Sequence, residues 1–94
     1  MVYYDAKNGE RQDVETLADL IKIARRVKRD KEYGSAFLLN PLDCCYVTFS
    51  TDLNTRDGEC GGFCLLWTNG NGYRAVRPYA YKNAATALKT LTYI

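Results

Sequence analysis

Phe63-Cys64-Leu65-Leu66-Trp67-Thr68, then Asn69-Gly70-Asn71-Gly72, then Tyr73-Arg74-Ala75-Val76, is the stretch on which the fold turns. Apolar residues run unbroken from Phe63 to Trp67, as in a strand from the middle of a sheet. Asn and Gly accept positive φ, so Asn69 to Gly72 reads as a hairpin turn, and Tyr73 to about Ala80 returns antiparallel. Pro78 has no N–H to give a ladder, which puts the returning strand at a sheet edge or ends its pairing there.

Upstream, Cys45 to Ser50 alternates and is β-branched and aromatic, so it predicts a second strand, joined through a polar loop from Thr51 to Glu59. Ala36 to Leu39 is a short apolar run ended by Asn40-Pro41. Before it, Val14, Leu17, Leu20, Ile21, Ala24 and Val27 recur at the three-and-four spacing of a helix from about Val14 to Arg29. Asp13 is its expected N-cap, and Gly34 marks its exit. Acidic groups gather early in this helix and basic ones late, which suits the helix dipole. Val2 to Tyr4 reads as a short lead, followed by a polar turn from Asp5 to Glu10 that holds Asn8-Gly9. Downstream, Asn83 is placed to cap a closing helix with Ala84, Ala87, Leu88 and Leu91 facing inward. The expected fold is one α+β domain over residues 1–94. It has an antiparallel sheet of three to four strands between one helix and another, in α-β-β-β-β-α order.

Composition narrows the function classes. Of the 94 residues, 47% are hydrophobic and 26% charged, which excludes a disordered tail, a fibre and a coiled coil. No apolar run approaches the ~18 residues of a membrane span, and Met1 to Asp5 does not resemble a signal peptide. The expected setting is therefore cytoplasmic, with reduced thiols. Histidine is absent, and with it the usual neutral-pH base and the Ser-His and Cys-His pairs. Asp52, Asp57 and Glu59 share one polar loop, the ordinary place for solvated carboxylates. As a calcium loop it fails, because Arg56 stands where the third ligand belongs. Neither glycine-rich stretch ends in the Gly-Lys-Ser/Thr of a P-loop. Of the cysteines Cys44, Cys45, Cys60 and Cys64, only the last two approach a chelating spacing, so free thiols are expected rather than a metal. No enzyme, metal or cofactor is expected.

Two surfaces remain as binding candidates. The turn at Asn69 to Gly72 puts Phe63, Leu65 and Trp67 on one side with Arg74, Val76 and Pro78. If residue 50 lies opposite 61, then Tyr46, Thr48 and Ser50 join that side, while Cys45, Val47 and Phe49 join Cys64 and Leu66. Two short helices cover one face only. With the Val47 side as core, Tyr46, Phe63, Leu65, Trp67 and Arg74 form an open patch of the residue types that dominate binding hot spots. The opposite assignment, with the Trp67 side as core, stays open, because the register depends on turn length. The second surface is cationic. Lys22, Arg25, Arg26 and Arg29 fall on one polar helix face, and Arg77, Tyr79 and Tyr81 interleave rings and cations as single-strand binders do. A solvated helix face accounts for the same stripe, and thirteen cations against eleven anions leave a net charge of only +2.

The expectation is a non-enzymatic protein-binding module whose partner is a larger intracellular protein or complex, or a second copy of the chain in a homodimer. That profile suits an accessory inhibitor of the kind phages and mobile elements encode to block a larger host machine such as a defence complex. The alternative is a nucleic-acid-binding protein using the basic helix and the Tyr/Arg edge strand. No membrane partner is expected.

Overall fold

A computed structural model describes residues 1–32, 35–40 and 44–91. In chain order the elements are β1 (Val2–Asp5), β2 (Glu10–Asp13), α1 (Leu17–Arg29), β3 (Ala36–Leu38), β4 (Cys45–Asn54), β5 (Cys60–Thr68), β6 (Tyr73–Ala75) and α2 (Ala84–Leu91). The α+β class stands, but among the described residues the sheet has six strands rather than three or four, in the order β2-β1-β3-β4-β5-β6. Every neighbouring pair is antiparallel. The additional strands are β1 and β2. Asp5 accepts the Gly9 amide on its carbonyl at 2.7 Å and the Lys7 amide on its carboxylate at 2.9 Å, which closes the polar turn into a hairpin. Tyr4 then faces Arg11 across it.

Helix α1 begins three residues later than its apolar spacing suggests. Asp13 belongs to β2, and Thr16 is the N-cap: its hydroxyl accepts the Asp19 amide at 3.2 Å and donates to the Asp19 carboxylate at 2.8 Å. Val14 is buried all the same, just ahead of the helix. The exit assigned to Gly34 and the break at Pro41 lie outside the described residues.

Both helices lie on one face of the sheet. Leu20, Ala24 and Val27 of α1 and Ala84, Ala87, Leu88 and Leu91 of α2 are buried there with Phe37, Val47, Phe49, Phe63 and Leu65. Aromatic rings tie the layer together. Tyr3 stacks on Phe37 at 5.2 Å, Phe37 meets Phe63 edge-on at 6.3 Å, and Phe63 meets Phe49 at 5.8 Å.

The pairing of β4 with β5 decides which residues share a face. Ser50 lies opposite Gly62, not residue 61, so Val47 pairs with Leu65 and Phe49 with Phe63. This one-residue difference reverses every β5 side chain relative to β4. The parity is set at the turn, where Asn54 lies opposite Cys60; the irregularity between there and Ser50, three residues against Gly61 at φ +85°, leaves it unchanged. Gly62 is needed for a different reason. A Cβ there would lie 2.6 Å from the Tyr81 carbonyl oxygen. That close approach lets residues 80–81 run along the β5 edge, where Phe63 and Tyr81 exchange both backbone bonds at 2.8 and 2.7 Å. The returning strand is correspondingly short. β6 ends at Ala75, bends follow to Tyr79, and pairing resumes only at Ala80 and Tyr81. β6 is an edge strand, and it ends three residues before Pro78.

Candidate functional site

Neither helix lies on the second face of the sheet. Tyr4, Ala36, Thr48 and Cys64 form one continuous row across β1, β3, β4 and β5, while Tyr46, Leu66 and Ala75 form the next across β4, β5 and β6. Together with Leu38, Ser50, Thr68 and Tyr73, most of these residues line an open groove of about 880 Å³, which ends at Asp52 and Leu53 in the irregular part of β4. Its floor is apolar and its walls are phenolic. Tyr46 and Tyr73 meet edge-to-face at 5.6 Å, with Tyr73 71% exposed. On the far side Arg11 lies 5.9 Å from the centre of the Tyr4 ring.

The ionisable groups of this floor are held neutral. Burial raises the Cys64 thiol above its ordinary value, and its S–H donates to the Thr48 carbonyl at 3.4 Å. Burial also raises the Tyr46 phenol, with the adjacent Tyr73 phenol adding to the effect. A protonated thiol is a poor nucleophile. The groove presents rings, hydroxyls and aliphatic surface.

The patch expected from sequence is divided by the sheet. Tyr46 lies on the open face. Phe63 and Leu65 are fully buried beneath the helices and are not surface residues at all. Trp67 is half-buried against the same core, with the Arg74 guanidinium 5.3 Å from the centre of its ring. The two expected face assignments are thus both half right: the core takes Val47 and Phe49 from one, Phe63 and Leu65 from the other. Tyr4, Leu66 and Tyr73 belong to the open face and had no part in the expected patch. The Asn8-Gly9 turn between Val2–Asp5 and Glu10–Asp13 was the available signal for Tyr4.

The cationic surface is also rearranged. Arg26 leaves the stripe, pairing with Glu32 at 3.1 Å and donating to the Tyr3 hydroxyl at 3.4 Å. Lys22 is exposed. Arg25 and Arg29 join Lys28 and Lys82 in a cleft of about 620 Å³ beside Asn83 to Thr86, where α2 begins. The Lys28 ammonium donates to the Lys82 carbonyl. Arg77 is exposed, while Tyr79 and Tyr81 meet at 5.7 Å and are half-buried. The Arg56 guanidinium lies over Tyr79 at 4.1 Å and donates to its hydroxyl. Lys82 and Arg56 were absent from the expected site because chain spacing does not bring them to it, whereas Lys28 stands one helical turn from Arg25 and was legible.

The four cysteines form no disulfide, with Cys45 and Cys64 buried and Cys44 and Cys60 exposed. Among the described residues, no helix is long and apolar enough to cross a membrane. No protein-family model, curated protein or solved structure matches the chain.

Proposed function

We propose that this protein is a non-enzymatic protein-binding module that docks a larger intracellular protein or complex on its open sheet face and inhibits it. The observation that carries this reading is the groove itself. It is a ring-walled surface without charge at its floor, on a face that neither helix occupies. Tyrosine side chains bring large, rigid contact area at low entropic cost, which is why they recur as interface anchors. Tyr73 at 71% exposure is such an anchor left in water.

The test compares wild type with Tyr73→Ala and Leu66→Glu. Co-purification from the native host, followed by titration of the recovered partner and sedimentation for self-association, measures the binding. Tyr73→Ala is expected to cost about 2 kcal/mol of association free energy, and Leu66→Glu more. A partner held equally well by both variants would place the interface elsewhere and overturn the reading.

A second reading, nucleic-acid binding, is favoured by one observation: Arg25, Lys28 and Arg29 meet Lys82 in a single cleft. Electrophoretic retardation at low salt tests it, and affinity should fall steeply as salt rises.

A further inference from the structure

We infer that the cleft between the end of α1 and the start of α2 is a seat for a phosphate group, carried by a phosphoester or a free phosphate. Residues 25, 28 and 29 stand at the spacing that places side chains on one helix face. Arg25 and Arg29 are a like-charge pair at four residues' separation, an arrangement that weakens a helix slightly. The helix dipole compensates cations only within the last turn, so it favours Lys28 and Arg29 more than Arg25. Lys82 arrives from a segment more than fifty residues away, beyond the sheet edge, and the Lys28 ammonium is fixed there by its bond to the Lys82 carbonyl. Carboxylates neutralise the cluster only in part. Arg29 pairs with Asp30 at 3.2 Å and Lys82 with Glu59 at 3.1 Å, whereas Arg25 has no acidic partner among the described residues. Among the described residues, none that lines the cleft is acidic.

Phosphate chemistry suits this geometry. A guanidinium presents paired donors that match two phosphate oxygens, and ammonium groups add compact charge. The backbone of Ala84 to Thr86 borders the same space, and α2 has no acidic residue in its first turn to compete for it. The seat lies on the helical side of the molecule, so it goes beyond the proposed protein-docking face. It draws on the nucleic-acid reading only for one of the two sources its phosphate can have.

The experiment titrates ¹⁵N-labelled protein with sodium pyrophosphate in one arm and a short single-stranded oligodeoxynucleotide in the other. The backbone amides of Ala85 and Thr86 report binding. Saturable shifts at these amides are expected, and the double substitution Arg25→Gln with Arg29→Gln should raise the dissociation constant about tenfold or more. Lys22→Gln should leave pyrophosphate binding unchanged. Both variants alter exposed side chains, and far-UV circular dichroism confirms that they fold; Lys82→Gln gives an independent second test. Tighter binding of the oligonucleotide assigns the phosphate to a nucleic-acid backbone, and tighter binding of pyrophosphate to a small ligand. Retardation lost while the pyrophosphate shifts persist would sink the nucleic-acid reading and leave the seat. Absence of shifts with both probes, or equal binding by the double variant, would overturn the seat itself.

Discussion

Leu65 and Leu66 are chemically identical neighbours on β5, and the fold assigns them opposite fates. Leu65 is fully buried under the helices, opposite Val47, while Leu66 is half-buried on the open face, opposite Tyr46. Truncating leucine to alanine removes three carbons, worth about 2.4 kcal/mol of transfer free energy at roughly 0.8 each when the site is dry. At Leu65 a cavity term adds to this, because Phe63, Val47 and the helices can collapse only partly. The expected cost of Leu65→Ala is therefore about 3–4 kcal/mol, inside the range for buried leucines. Leu66→Ala forfeits only part of its transfer term and leaves a wider groove instead of a void, so about 1 kcal/mol is expected. Urea unfolding followed by fluorescence of Trp67, the single tryptophan, measures both. In a thermal scan the two variants should differ by about 10–20 °C, at roughly 4–8 °C per kcal/mol for a chain of this size. Equal losses, or a larger loss at Leu66, would refute the register and with it the open face.

Three further outcomes are expected. Gly62→Ala should destabilise by about 1–3 kcal/mol in the same urea assay, because its Cβ would meet the Tyr81 carbonyl oxygen at 2.6 Å. Native thiol titration should find Cys44 and Cys60 reacting promptly and Cys45 and Cys64 only after unfolding. Stability should also fall in alkali. Cys64 and Tyr46 have folded pKa values raised above their ordinary 9.0 and 10.0, so the unfolded chain gives up these protons first. Their contribution is complete below pH about 9 and is lost as pH rises towards the folded values; Cys64→Ser and Tyr46→Phe should each flatten the decline in a pH series of urea midpoints.

Local chemistry made several elements legible in the sequence. The three-and-four spacing of Leu20, Ala24 and Val27 follows from helix geometry alone, as does the inward face of Ala84, Ala87, Leu88 and Leu91. The Asn69 to Gly72 turn correctly put Trp67 and Arg74 on the same side, because a four-residue turn sets parity without tertiary help. The absence of histidine and the unbridged state of the thiols were likewise readable from residue type and spacing. Pairing between distant strands was not. The turn that sets Asn54 opposite Cys60 puts the β4–β5 ladder out of step with the expected pairing, and nothing in the composition of the polar loop announces its length. That single step moved Phe63 and Leu65 from the expected surface to the core and replaced them with Leu66 and Cys64. The β1–β2 hairpin stayed hidden because β2 is Glu-Arg-Gln-Asp, wholly exposed and without the alternation that announces a strand. The cationic cleft depended on tertiary structure throughout. Arg25, Lys28 and Arg29 are neighbours by helical period, but Lys82 reaches them only because Gly62 leaves room for residues 80–81 along the edge of β5. Sequence by itself determined periodicity, polarity and turns, which act over a few residues. Register and convergence are set by which distant backbones fit against one another, and only the folded chain decides them.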